Sequence, residues 1–357
     1  MLFKRLILTC QSQLQKERSI SAVYYLLRGK QSIQTIQDAQ LYQLSSYYGI
    51  YKQLSKDEFF DHIDELVSLQ LLYPDSKDNF YIVSKKAEEL LNNQPLKLYI
   101  NGMLYKQFDQ IFFQRLLLLL QVWTNSKRKN FTYIPIVENL DIANWVKTYY
   151  RLSKHDIKKY LQTLYEELFN IFLSLPTTFP TIFLDQFSGY QSIGLTENQI
   201  AIKFNRSVEE IHIITTSIIH ILLRKVKENP NRYKILYSVG EDLFSANRLT
   251  TSADKTRRLL DNGLSLDQIA AKRRLKLNTI FDHIVEIALH DIRFQLEAYV
   301  PIETQKQIVQ TIKKIDSYKL SEIKAAVDKE ITYFQIRLVL AKLNDFVYGS
   351  EVNGCSR

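Results

Sequence analysis

Four cations in five positions, Lys272, Arg273, Arg274 and Lys276, stand directly before a helical pattern that runs from Leu277 to Ala288. Placed there, they surround the free N–H groups and positive dipole end of a helix, an arrangement that attracts phosphate. Asn278 is the expected N-cap of that helix. Ile280, Ile284 and Ile287 give it a buried side, which leaves Thr279, Asp282, His283 and Glu286 on more exposed sides, where short polar groups can meet base edges. The chemistry is recognition of DNA, with cations neutralising phosphates. The competing reading is a solvated charge run, and because Asp254, Asp261, Asp267 and Asp282 lie close in sequence, net charge does not decide between them.

Other chemistries lack their residues. The six histidines, His62, His155, His212, His220, His283 and His290, form no H-E-x-x-H and no Cys-His cluster, and Cys10 and Cys355 sit at opposite ends of the chain, so no metal site and no disulfide framework are expected. There is no G-x-S-x-G. Gly29-Lys30-Gln31-Ser32 has the end of a phosphate loop without its upstream glycine, so a nucleotide cradle is not encoded. His283 reads as a hydrogen-bonding or packing residue rather than a general base. No catalytic residue, cofactor or small-molecule substrate follows from the sequence.

The elements that must position the cations are helical. The chain has 357 residues, 46% hydrophobic and 24% charged, with 9 Gly, 7 Pro and a net charge of +9. Such a composition builds packed cores and disfavours tight-turned β architectures. The apolar start from Leu2 to Cys10 is too short for a targeting segment and reads as a first helix. Ile111 to Trp123, interrupted by Gln114 and Arg115, falls short of a membrane span and reads as a buried helix. With its cysteine usage, this fits a cytoplasmic protein without a membrane partner.

Near the N-terminus, two helical patterns meet at Gly29, and Ser55-Lys56-Asp57-Glu58 is a capping box opening a helix with Phe59, Ile63, Leu66 and Leu69 on one face. A strand-like stretch Leu71-Leu72-Tyr73, a turn from Pro74 to Asn79 and a second strand Phe80 to Val83 follow. That order resembles a winged-helix domain. Its recognition-helix candidate carries Asp57, Glu58, Asp61, Asp64 and Glu65, which repel phosphate, so Asp57, Asp61 and Asp64 are assigned to protein docking. From Leu96 to Ser174 the pattern is helical, with aromatic stripes that belong in a core, and Leu175 to Pro180 breaks it.

Three helix-turn-helix patterns occupy the second half. Thr196 to Gln199 caps one helix and Ser207 to Glu210 the next, around a bend at Phe204-Asn205-Arg206. This pair is similar to region four of sigma factors; Arg206 and Thr215, with Thr216 and Arg224, are expected outward, and plain helix packing is an equal alternative. The second pair is Ser265 to Ala270 and Leu277 to Ala288, with Gly263 as the preceding helix stop. The third runs from Leu320 to a helix capped at Thr332, with Lys324, Arg337 and Lys342 expected outward.

The segments Gly263 to Ala270, Thr279 to Ile284 and Tyr333 to Leu340 resemble the helix-turn-helix module at the C-terminal end of RecQ-type helicases and their stand-alone companions, and Leu27 to Ala39 resembles the YpbB-type proteins of Gram-positive bacteria. Added to the composition and to the breaks in the helical pattern, the resemblance completes the expectation of a mainly α, multi-domain chain divided into a winged-helix-like domain at 1–95, a helical middle region at 96–180, a sigma-region-four-like helix-turn-helix at 181–245 and a helicase-associated helix-turn-helix domain at 246–348. It also implies a non-enzymatic DNA-binding accessory protein whose partners are DNA and a RecQ-like helicase, acting in repair or recombination. A transcription regulator reading an operator, or a pure protein scaffold, are the alternatives.

Overall fold

The computed structural model describes residues 1–14, 17–93, 96, 98–244, 249–291 and 293–343. The chain is mainly α, and one two-stranded antiparallel sheet occurs among these residues. The first unit consists of α1 (Leu2–Leu14), α2 (Ser21–Arg28), α3 (Ile33–Leu41), α4 (Lys56–Ser68), a hairpin of β1 (Leu72–Pro74) and β2 (Tyr81–Val83), and α5 (Lys85–Asn93). The expected capping box forms: Glu58 N donates to Ser55 Oγ at 3.1 Å and Ser55 N to Glu58 Oε2 at 3.1 Å. It starts α4 in the register that buries Phe59, Ile63 and Leu66. The hairpin pairs Leu72 with Val83 and Pro74 with Tyr81, so the first strand is shifted by one residue to take in Pro74 from the expected turn, while Phe80, expected in the second strand, lies outside it.

Gly29 ends α2 in the left-handed region at φ 67°, and its carbonyl-rich end is closed by a neighbouring segment, Gly49 N and Tyr51 N donating to Leu26 O and Leu27 O. A Cβ on Gly29 would stand 2.6 Å from Gly49 Cα. The glycine in Gly29-Lys30-Gln31-Ser32 is therefore required by a helix stop and a backbone crossing. We expect Gly29→Ala to cost about 2–3 kcal/mol in urea unfolding, from strain plus displaced backbone. Gly263→Ala is the control: its φ is 80° but nothing lies within 4 Å, so only the conformational cost of about 1 kcal/mol should appear.

The second unit contains α6 (Gly102–Tyr105), α7 (Asp109–Lys127), α8 (Leu140–Ser153), α9 (Ile157–Phe172), α10 (Thr178–Leu184), α11 (Glu197–Phe204), α12 (Val208–Glu228) and α13 (Lys234–Gly240). One core runs through all of it, from Tyr105 and Trp123 to Leu222 and Leu243. The expected division between 96–180 and 181–245 thus falls inside a single core. Pro176 and Pro180 interrupt the helical register, but α9 and α10 stay packed, with Phe172 and Phe183 rings 5.8 Å apart. Of the expected 95/96 boundary, residues 94, 95 and 97 lie outside the described residues.

Helix α12 is the central element. From Ile211 to Leu223 it has no charged residue and is buried on every side, its polar groups included. Ile211, Ile214, Ile218 and Leu222 enter the second core, while Ile213 enters the first. His212 stacks on Tyr51 at 4.2 Å, with Nε2 3.1 Å from Ile50 O, and Nδ1 of buried His220 accepts from Asn101 N at 3.0 Å.

The third unit comprises α14 (Thr251–Asp261), α15 (Leu266–Arg273), α16 (Leu277–His290), α17 (Ile302–Ile315), α18 (Leu320–Ala326) and α19 (Tyr333–Ala341), around Ile269, Ile280, Ile284, Ile308, Ile323 and Ile336. Of the expected domain 246–348, residues 246–248, 292 and 344–348 lie outside the described residues. Helix α3 joins this unit to the first: Gln37 Nε2 donates to Arg337 O at 2.8 Å and Gln40 Nε2 to Leu289 O at 3.4 Å, while Glu17 accepts from Tyr318 N at 3.1 Å.

Candidate nucleic-acid interface

The α15–α16 corner is built from local signals. Ser265 and Gln268 form a capping box that starts α15, and Arg274 ends it in the left-handed region at φ 53°, turning the chain through Leu275 and Lys276 into α16. Lys272, on the last turn of α15, and Arg274 and Lys276, in the bend, are exposed. Their side chains form no ion pair or hydrogen bond among the described residues. Lys276, not Asn278, is the N-cap of α16, and it makes no side-chain cap bond. A lysine has no acceptor to offer the first N–H groups, and its charge opposes the helix dipole, so the corner presents uncapped donors among unpaired cations. An anion satisfies both.

Asn278 is exposed in the first turn and Thr279 is half-buried beside it. Leu277 is 36% exposed, a position to which the sequence pattern gives no outward role. It is in phase with Ile280 and Ile284, but at the first turn the neighbouring helices no longer cover it. Beyond this turn α16 departs from the expectation. His283 and Glu286 are buried, and Asp282 is held by Arg337 at 2.6 Å. Glu286 accepts from Thr250 N at 2.6 Å and Thr250 Oγ1 at 3.0 Å. The cause is that α16 packs against α14, α15, α19 and α3 together, which leaves its later turns no outward face.

Arg273 also differs from its neighbours in sequence. Its guanidinium donates to Ser252 O at 2.8 Å, Ser252 Oγ at 2.9 Å and Thr256 Oγ1, and lies 3.3 Å from His283 Nδ1, clamping α15 onto α14. His283 Nδ1 is also 2.9 Å from Thr256 Oγ1. Neither Arg273 nor His283 is disposed to meet DNA.

Burial, and secondarily the Arg273 charge, push the His283 pKa from 6.5 to about 4. The unfolded chain therefore takes up this proton first, and stability present above pH 6.5 is lost as the pH falls towards 4. The expected contribution is about 1–3 kcal/mol, the lower end once solvent screening is allowed for. Thermal melts of wild type and His283→Gln from pH 7 to 4 test this: the variant should lose less stability across the window, and parallel curves would show that His283 does not titrate as described.

The α11–α12 pair forms with both caps expected, and Arg206 is exposed, though it pairs with Glu210 at 3.3 Å. Thr215 and Thr216, expected outward, are 3% and 1% exposed. Thr215 Oγ1 accepts from Gln186 Nε2 at 2.9 Å, and Arg224 lies over the Tyr99 ring at 3.9 Å. Two cores share α12, so it has no free face to enter a groove. In the α18–α19 pair the cations expected outward are also engaged: Lys324 with Lys329 O and Ile331 O, Arg337 with Asp282, and Lys342 with Asp291 O.

A second charged surface lies on α4. Asp57, Asp61 and Asp64 are exposed at i, i+4 and i+7, in no ion pair among the described residues. Glu58 is occupied in the capping box and Glu65 pairs with Lys4, while His62, behind the stripe, is 3.4 Å from Glu209. Among the described residues no group of His, Cys, Asp and Glu is arranged to hold a metal ion, and no helix is long and apolar enough to cross a membrane.

Comparison with known proteins divides the chain along similar lines. Residues 4–102 match the RQC domain and residues 252–340 a helix-turn-helix domain, the pairing found in the C-terminal region of RecQ. Both are nucleic-acid-binding domain types. No solved structure matches the chain. Protein YpbB of Bacillus subtilis (strain 168) is 31% identical over 345 residues, which cover 95% of this chain and 97% of the relative. With that identity over nearly the whole length of both proteins, the chain belongs to the YpbB family.

Proposed function

We propose that this protein is a non-enzymatic DNA-binding accessory factor that works with a RecQ-like helicase in repair or recombination, holding DNA at the α15–α16 corner and the helicase at the α4 face. The observation that carries the reading is the corner itself: Lys272, Arg274 and Lys276 exposed and unpaired around the uncapped start of α16. Cations and free N–H groups there meet phosphate oxygens, which position a duplex without reading it. Asn278 and Thr279 are the side chains left to touch bases, so sequence selectivity is weak. The RQC and helix-turn-helix pairing supports the helicase connection.

The chain alone is expected neither to hydrolyse ATP nor to unwind a duplex. Added to a RecQ-like helicase held at limiting concentration, it should raise unwinding several-fold at low salt, where electrostatic capture is strongest. Strand-separation and ATPase assays, each with and without the helicase, provide the test. ATP turnover by the isolated chain would refute the non-enzymatic assignment, and an unwinding rate independent of the chain would refute the accessory role.

A further inference from the structure

Between α7, α8 and the segment 130–139 lies an open groove of about 590 Å³ that neither surface described above uses. Its floor is mostly aliphatic, from Leu118 and Val122 of α7 and Ala143 and Val146 of α8. Its lips are apolar and uncovered: Phe131 is 71% exposed, Ile134 89% and Leu140 77%. Contiguous exposed apolar surface of this kind marks interaction sites on soluble proteins. The lip is also held in place. Gln121, buried in α7, donates from Nε2 to Ile134 O at 3.0 Å and accepts from Ile136 N at 2.9 Å, gripping the segment on both sides of Pro135, and Asn130 Nδ2 donates to Asn125 Oδ1 at 2.7 Å.

Charge identifies the occupant. Lys147 lines the groove, and Arg151 on α8 and Lys154 just past its end follow at i+4 and i+7, all exposed and in no ion pair among the described residues. Of the nearby carboxylates, Glu138, which also lines the groove, and Asp141 lie at the opposite, N-terminal end of α8, while Asp156, the N-cap of α9, follows Lys154. The cleft is therefore apolar along its floor and positive towards one end. Cations beside exposed aromatic rings also suit single-stranded nucleic acid, but that mode needs ring faces for successive bases. Here Phe131 is the one exposed ring of the lining, Tyr133 and Tyr150 are half-buried and the floor is aliphatic, which suits side chains rather than a run of stacked bases.

We propose that this groove binds an acidic peptide segment of a partner protein, its bulky apolar side chains seated between Ile134 and Leu140 and its carboxylates against Lys147, Arg151 and Lys154. The apolar contacts supply the affinity and the cations the direction of the peptide and the rate of capture.

The test uses the full chain and a fluorescent peptide of alternating Asp with Phe and Leu, read by anisotropy. Binding is expected, and it should weaken about tenfold or more in Ile134→Asp with Leu140→Asp, and again in Lys147→Glu with Arg151→Glu. All four positions are exposed, and circular dichroism melts confirm that each variant folds. The charge variant should also lose the salt dependence of binding. The proposal is overturned if the peptide does not bind, if a version with Ser for Phe and Leu binds equally well, or if both variants bind like wild type. Displacement of the peptide by oligo(dT) would assign the groove to nucleic acid. Self-association in sedimentation velocity that Ile134→Asp with Leu140→Asp abolishes would assign it to a second copy.

Discussion

Replacing Lys272, Arg274 and Lys276 together by alanine is expected to flatten the salt dependence of duplex binding by about two to three units, at about 0.9 for each phosphate no longer neutralised. The three side chains are exposed and unpaired, so their removal breaks nothing inside the fold. Arg273→Ala supplies the contrast within the same run of cations. That guanidinium is committed to Ser252, Thr256 and His283, so its loss should leave the slope unchanged and cost about 1–3 kcal/mol in stability. Titrations of a fluorescent duplex across a salt series, with urea melts alongside, separate the two effects. An unaltered slope in the triple variant would remove the α15–α16 corner from the DNA interface.

The second large effect concerns capture of the helicase. Asp57→Asn, Asp61→Asn and Asp64→Asn in one chain should slow association with a RecQ-like helicase about tenfold or more at low salt, because rim charges act mainly on the encounter rate. The dissociation rate and the salt slope of DNA binding should change little. Stopped-flow or surface-based kinetics at two ionic strengths give the answer. If the substituted chain associates as fast as wild type at both, α4 is not the docking face.

Much of the fold is legible in the sequence because its signals are local. The capping boxes at Ser55, Thr196, Ser265 and Thr332 all form, and the hairpin between Leu71 and Val83 lies where β-favouring residues flank a polar turn. The corner cations are equally visible. Which polar residues face water is harder to read, since periodicity assigns a helix one buried side against one neighbour. Helices α12 and α16 have several neighbours, so Thr215 and His283 occupy positions that are polar by pattern and interior by packing. For α12 a signal exists: from Ile211 to Leu223 there is no charged residue, whereas a half-exposed helix of that length should carry several. For Arg273 there is none, because only the left-handed turn at Arg274 decides that one guanidinium points inward and the next outward.

The bridge from α3 to α16 and α19 bears on how two ligands are held at once. Gln37, Gln40 and Glu17 lock the first and third units by direct hydrogen bonds. A flexible tether would give two bound partners an effective concentration set by chain length, tolerant of many geometries. A locked bridge gives one span and one orientation between α4 and the α15–α16 corner. Under the proposed division of labour, simultaneous engagement would work as a ruler: complexes in which the distance from the docked helicase to the duplex matches that span would gain the full avidity, and those that miss it would gain none.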